Sequence, residues 1–357
     1  MSIHRFYSCD SSTKNRFSGN NAAFTMGCIP AVALTAHGFS SVRSRLHPGV
    51  PAMTSRRLFS SSSLVAVLGA CLLAHGAAAS AQEIDTLARI KQTGVIHIGN
   101  RDSSIPFSYS PKGGGDPVGF SNDICLKIVE AVKAKLGLPA LRVQYTLLNS
   151  LNRIPLMQNG TVDLDCATTT NSVVRQQMVA FAPSHFVAGI TVAVKKNSGI
   201  NSLSDLAGKT VATVAGSTSV QLLRTYKRAE ALDVRELSGK DTADAFLLLA
   251  NGRADAYVLD DVQLAGLIAS SPNPGEYRML RDVVLRQEPY GIMFRKNDPQ
   301  FEALVDETVT QLMKSGEMER LYARWFTQPI PPNNVNLNFP MTDAVREAYR
   351  NPSKKGV

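Results

Sequence analysis

Beyond residue 84 the apolar positions follow two alternating periods. Short blocks rich in Val, Ile and Leu predict strands: "VIHIGNR" at 95–101, "LRVQYTLL" at 141–148, "VDLDCA" at 162–167, "TVATVAG" at 210–216, "DVREL" at 233–237 and "DAYVLDD" at 255–261. Between them apolar residues recur three and four apart. These segments predict helices: "DTLARIKQTG" at 85–94, "NDICLKIVEAVKAKLG" at 122–137, "LNRIPLMQNG" at 151–160, "STSVQLLRTYKRA" at 217–229 and "DTADAFLLLANGRA" at 241–254. Gly94, Gly137 and Gly160 stand where the first three should stop. "PFSYSPKGGGDPVGFS" at 106–121 predicts a hairpin with a glycine loop, and "SLSDLAGK" at 202–209 a turn and a helix. Strand and helix alternate throughout, and the unit repeats in outline in the second half. The pattern predicts an α/β chain with mostly parallel strands.

Residues 1–81 have a different grammar. Met53, Arg56 and Arg57 precede "LFSSSSLVAVLGACLLAHGAAASA", which has the charged start, apolar centre and small-residue exit of a secretory signal, with Ala79, Ser80 and Ala81 as the cleavage site. Residues 53–81 are therefore read as a signal peptide, and residues 1–52, which lie ahead of a complete signal and show no clear period, as a non-structural extension. The apolar run is interrupted at Gly69, His75 and Gly76, and no later stretch has the length of a membrane span. "LGAC" ending at Cys71 resembles a lipobox. The apolar run continues past Cys71 to the A-x-A site, which favours soluble export to the periplasm over a lipid anchor.

Removal of residues 1–81 changes the charge and the cysteine count. The whole chain carries +9, but the portion after residue 81 has 31 Lys/Arg against 28 Asp/Glu, a net of +3 with no long basic run. A nucleic-acid surface is not indicated. Two of five cysteines remain, Cys125 and Cys166, which an oxidising compartment joins only if the fold brings them together. The remaining 276 residues suit two lobes of ordinary domain size.

Ligands of open parallel sheets sit beyond the carboxyl ends of the strands. The polar residues there are Arg101; Ser150 and Arg153; Thr168, Thr170 and Arg175; Ser217, Thr218 and Ser219; Thr242 and Asp244; and Asp260 and Asp261. The stretch "DCATTTNSVVRQQ" from Asp165 shows the ambiguity: hydroxyls at a helix start can attract an anion, or merely cap the helix. Taken together, three arginines, two hydroxyl-rich helix starts and one or two carboxylates match a small zwitterion with an extra negative charge, because arginine pairs with carboxylates in a planar bidentate geometry. An acidic amino acid has that charge pattern.

Residues 84–345 resemble the periplasmic amino-acid-binding proteins of ABC importers (family 3), in particular the glutamate/aspartate-binding branch. The stretches that carry the likeness are "SSIPFSY", "NRIPLMQNGTVDLDCATTTNSVVRQ", "GKTVATVAGSTS", "GRADAYVLDD", "RKNDPQF", "GEMERLYARWF" and "PIPPNNVNLNF". The resemblance implies a two-lobe, type II periplasmic binding protein fold, each lobe a mostly parallel sheet flanked by helices, joined by two crossing strands near Ala188-Gly189 and Pro289-Tyr290. Lobe 1 is expected over 82–189 plus 290–330, lobe 2 over 190–289, and 331–357 as a C-terminal tail that leaves the lobes, its prolines opposing a helix.

The same resemblance implies that Arg175 clamps the ligand α-carboxylate with help from Thr168, Thr170, Ser217 and Thr218, and that Asp260 receives the α-ammonium. It assigns the side-chain carboxylate to Arg101, Ser150 and Arg153. Thr242 stands where the branch often has a histidine, which bears on discrimination between glutamate, aspartate and their amides. The expected partners are glutamate or aspartate and an inner-membrane permease with its ATPase. The chain is expected to be monomeric, without cofactor or metal.

Two rivals share the scaffold. A cyclohexadienyl dehydratase-like enzyme needs a general acid or base poised in the cleft, whereas Asp260, set among arginines, is expected to be ionised and paired. No nucleophile–base pair is visible, and "no enzyme" is the expectation. A receptor's sensing module needs fused signalling domains. "GGG" at 113–115 does not open a helix after a strand and is no dinucleotide motif; "NGT" at Asn159 is too short to imply glycosylation; His97 and His185 lack zinc-ligand spacing; Trp325 reads as core packing.

Overall fold

In a computed structural model the described residues are 85–111, 114–280 and 282–357; the proposed signal and extension lie outside them. Helix α1 (Thr86–Thr93) is capped by the Asp85 side chain and closed by Gly94 at φ 65, the left-handed conformation that glycine adopts without strain. It leads into β1 (Val95–Asn100), which is followed by a small hairpin of β2 (Ser103–Ser104) and β3 (Ser108–Tyr109). Then come α2 (Phe120–Leu136), β4 (Arg142–Leu147), α3 (Arg153–Gln158), β5 (Leu164–Asp165), the one-turn α4 (Val173–Gln176) and β6 (Ala180–Phe181).

The long strand β7 (Phe186–Lys195) starts the second part. It continues with β8 (Thr210–Val214), α5 (Thr218–Ala229), β9 (Arg235–Gly239), α6 (Thr242–Ala250), β10 (Ala256–Asp260), α7 (Asp261–Ala269) and β11 (Tyr277–Met279). The chain returns through β12 (Gln287–Tyr290) to β13 (Met293–Phe294), α8 (Pro299–Lys314) and α9 (Glu317–Phe326). It ends with the paired β14 (Pro329–Ile330) and β15 (Val335–Asn336) and with α10 (Asp343–Arg350).

Two sheets result. The first has the order β4-β1-β5-β13-β6: β1 lies parallel to both β4 and β5, and β13 is antiparallel to β5 and β6. The second has the order β11-β7-β10-β8-β9, with β8 parallel to β9 and β10 and with β7 antiparallel to β10. In β7 the residues Ile190, Val192 and Val194 pack on one face and Ala193 on the other. Helices on both faces of the sheet explain why "GITVAV" reads as a continuous apolar run and not an alternating one.

The sheets are linked where β7 and β12 run antiparallel, Ala188 opposite Glu288 and Phe186 opposite Tyr290. Phe186 and Tyr290 stack with centroids 5.9 Å apart, inside an aromatic cluster with Phe107, Tyr322 and Phe326. That cluster anchors the crossing strands to the first lobe.

The C-terminus departs from the expectation. The prolines do exclude a helix at 329–332, but the chain then turns back: Val345 and Tyr349 of α10 are buried in the first lobe's core, and the Tyr349 hydroxyl donates to the His185 carbonyl at 3.1 Å. Their i, i+4 spacing makes one apolar stripe on an otherwise charged helix, which needs a core to cover it. Trp325 is core packing, as its sequence context suggests, and also donates Nε1–H to Asp123 at 2.8 Å. Cys125 on α2 and Cys166 just after β5 are joined as a disulfide, Cα atoms 6.1 Å apart.

Candidate functional site

A cleft of about 380 Å³ lies between the two sheets at the carboxyl ends of their strands. Its walls include Arg101, Ser150, Arg153, Thr168 and Thr170 from the first lobe and Ser217, Thr218, Thr242 and Asp260 from the second. Nine of the ten residues expected to bind the ligand therefore meet around one space, while the other strand-end residues Ser219, Asp244 and Asp261 do not line it. The tenth, Arg175, is buried and not among the lining residues, with Nη1 donating to the Thr170 carbonyl at 2.9 Å.

On the first lobe, Thr169 organises the cations. Its Oγ1 accepts from Arg101 Nη2 at 3.4 Å and from Arg153 Nη1 at 3.1 Å, and donates to Asp165 Oδ2 at 2.5 Å. One hydroxyl thus accepts from two guanidinium groups and donates its own hydrogen bond to a fully buried carboxylate. Burial, followed by the nearby Arg175 and Arg101, pulls the Arg153 pKa well down; burial also lowers Arg101 and Arg175. Guanidinium stays protonated regardless, so these shifts measure crowded positive charge in a dry site. Arg101 Nη1 and Arg153 Nε have no partner among the described residues. Such donors are costly to leave unpaired.

On the second lobe, Asp260 is almost fully buried at the end of β10. Its Oδ2 accepts from Gln263 Nε2 at 3.0 Å, while Oδ1 has no partner among the described residues. The alternative role as a helix cap falls to its neighbour: Asp261 Oδ1 accepts from the backbone N–H groups of Val262 and Gly189, and Asp260 makes no capping bond. Burial, and secondly Glu288, push the Asp260 carboxyl up to about 7. That differs from the expectation of a simple carboxylate among arginines. A hydrogen bond from Tyr290 lowers it only in part, and a cationic group brought next to it would favour the ionised form.

Glu288, on the crossing strand β12, was not singled out in the sequence. It is fully buried, paired with Arg286, and its Oε2 accepts from Thr170 at 2.6 Å and from Thr218 at 2.5 Å. One carboxylate thus ties a hydroxyl from each lobe to the crossing strand. Each hydroxyl has a single proton, and both are spent on Glu288. Toward the cleft Thr170 and Thr218 therefore offer lone pairs, not side-chain donors. The Ser217 hydroxyl accepts from Val220 N at 3.3 Å and is an ordinary cap for α5.

The lobes also meet directly at the cleft's lip. Ser103 Oγ lies 3.0 Å from Thr242 Oγ1, and Thr242 Oγ1 donates to the Ser103 carbonyl at 2.9 Å. Thr242 thus serves a lobe-to-lobe latch. A Cβ on Gly216, which sits at φ +78, would come within 2.9 Å of the Ser150 carbonyl oxygen, so the second lobe approaches the first through a glycine. Asp165, Thr169 and Glu288 were missed because nothing local distinguishes them: two are embedded in the strand and threonine run already assigned, and Glu288 acquires its neighbours only when β7 and β12 pair. Among the described residues no cluster has the makings of a metal site, and no helix is long and apolar enough to cross a membrane.

Comparison with known proteins places the chain in a family. The family pattern of the bacterial extracellular solute-binding proteins, family 3, matches residues 96–328. An L-glutamate/L-aspartate-binding protein of Pseudomonas aeruginosa is 43% identical over 272 residues, covering 76% of this chain and 90% of that protein. The glutamate/aspartate import solute-binding protein of Escherichia coli K12 is 42% identical over 272 residues, 76% of this chain and 89% of that one. Among solved structures, an ancestral amino acid-binding protein described as a precursor of cyclohexadienyl dehydratase superposes with a TM-score of 0.59 at 27% identity, covering 68% of this chain and all of the other (100%).

Proposed function

Because the chain belongs to the bacterial extracellular solute-binding proteins, family 3, we propose that it is the periplasmic receptor of an ABC importer for L-glutamate and L-aspartate. The observation that carries this reading is the meeting, around one cleft, of the buried guanidinium groups of Arg101 and Arg153 with the buried carboxyl of Asp260. An α-amino dicarboxylate complements that set: its ammonium goes to Asp260 and the Thr170 hydroxyl oxygen, its α-carboxylate toward Arg175, and its side-chain carboxylate to Arg101, Arg153 and Ser150. The curated relatives at over 40% identity are solute-binding transport proteins, which supports a carrier and not an enzyme.

In this reading residues 82–189 with 290–330 form lobe 1 and 190–289 form lobe 2, and the paired crossing strands around Ala188-Gly189 and Pro289-Tyr290 act as the hinge. Residues 53–81 direct export and are removed, and the monomeric, loaded protein docks on a permease driven by an ATPase. Calorimetric titration of the chain from residue 82 with glutamate, aspartate, glutamine and asparagine tests the assignment. Tight binding of both acidic ligands is expected; tight binding of a neutral or basic amino acid, with none for glutamate or aspartate, overturns it.

A further inference from the structure

Arg175 sits on a poor foundation by its own sequence. Helix α4 is four residues long, and Val173 and Val174 are 56% and 67% exposed, so no apolar face fixes it to a core. A one-turn helix has almost no stability of its own. Something else must hold the arm from Asn171 to Gln176 in place while its arginine points inward.

Pro289, whose carbonyl accepts from Asn171 N at 2.8 Å, and Lys296, whose Nζ donates to the Gln176 carbonyl at 2.9 Å, hold the arm at two points, and the far end of the chain holds it along its length. Val357 N donates to the Asn171 carbonyl at 3.1 Å, and Val173 N donates to the Val357 carbonyl at 3.0 Å, a strand-like exchange against the arm. Asn171, fully buried and outside the cleft, donates Nδ2–H to the Lys354 carbonyl at 3.0 Å; Gln176 Nε2 donates to the same carbonyl at 2.7 Å and to Asn171 Oδ1 at 2.8 Å. Ser184 N donates to the Ser353 carbonyl at 3.0 Å. A Cβ on Gly356 would stand 2.9 Å from the Ser172 carbonyl carbon, so the approach depends on glycine. Lys354 Nζ bonds to Glu302 at 2.5 Å and Asp306 at 2.7 Å, which ties the segment to α8.

We propose that residues 353–357 are a positioning strap that sets Arg175 for the ligand's α-carboxylate. The proposal rests on the amino-acid-binding reading above and extends it to residues outside the cleft. The strap connects α8 to the outer side of the arm, while Arg175 Nη1 and the Thr170 carbonyl connect its inner side. Asn171, which follows the cleft residue Thr170 but does not itself line the cleft, is the buckle between them. A misplaced guanidinium loses the bidentate geometry that makes arginine–carboxylate pairs strong.

The test compares the intact chain with a chain ending at Pro352, with Gly356→Val, and with Lys354→Ala and Lys354→Arg. Each is titrated calorimetrically with glutamate and aspartate well below its melting temperature. Truncation and Gly356→Val are expected to weaken both ligands by about tenfold or more, with their ratio unchanged because both share the α-carboxylate. Lys354→Ala should weaken binding less, and Lys354→Arg should restore it. A segment that merely packs would lower the melting temperature and leave affinity intact; that result overturns the strap, as does a loss confined to one ligand. Failure of the intact chain to bind either acidic amino acid overturns the proposed ligand instead, and the strap is then read on whichever amino acid the intact chain does bind.

Discussion

The protonation of Asp260 makes ligand affinity depend on pH in a calculable way. Its carboxyl lies between Glu288, Asp261, Tyr290 and Gln263, and burial with the Glu288 charge raises it from 3.8 to about 7. A ligand ammonium binds the ionised form. Affinity is therefore complete above pH 7 and falls as pH drops through 7, because binding must then expel a proton. If the complex holds Asp260 ionised down to pH 5, affinity at pH 5 is about a hundredfold below its value at pH 8, or roughly 3 kcal/mol at about 1.36 kcal/mol per pH unit.

Glutamate itself keeps its charges over this interval, since its carboxyls titrate near about 4 and its ammonium well above. Calorimetry in buffers of different ionisation enthalpy should detect about half a proton released per ligand at pH 7. The stability sign runs the other way. A carboxyl whose folded pKa is raised contributes stability that is full below its unfolded value and is lost progressively as pH rises from there through the folded value near 7. Asp260→Asn should therefore raise the melting temperature of the ligand-free protein at pH 8 while abolishing binding. An affinity that is flat from pH 8 to 5, without proton release, refutes the assignment of Asp260 as ammonium partner.

Three further outcomes follow from the same geometry. Arg101→Ala or Arg153→Ala should weaken glutamate and aspartate by about tenfold or more in titrations and weaken the amides less, whereas Arg175→Ala should remove binding of all of them, since in the proposed pose it serves the α-carboxylate every amino acid shares. Gly216→Ala should lower affinity for every ligand alike, because its Cβ meets Leu151 and Ser150 as the lobes close and its φ of +78 suits only glycine; an unchanged affinity would show that closure is looser than the structure has it. Cys125→Ser with Cys166→Ser reopens a loop with a sequence separation of 41 and should cost about 4 kcal/mol in denaturant unfolding by chain entropy, while loss of stability near zero would contradict that account.

Much of this protein is written in short-range pattern. Strand blocks such as "TVATVAG" and "DAYVLDD", and glycine stops such as Gly94 and Gly137, specify their elements locally, because period and left-handed caps are properties of a few consecutive residues. The strand-end rule then collected the cleft residues, since parallel strands place their carboxyl ends on one side whatever the loops do. What remained depended on neighbours far apart in sequence. Asn171 gains its function from Lys354, Glu288 from Thr170 and Thr218, and Cys125 from Cys166. The ionisation of Asp260 is set by burial and by a carboxylate from the returning strand β12, and the fate of the C-terminus by a first-lobe core that covers Val345 and Tyr349. Desolvation, proton sharing and burial arise only when distant segments meet, so only the tertiary structure could decide them.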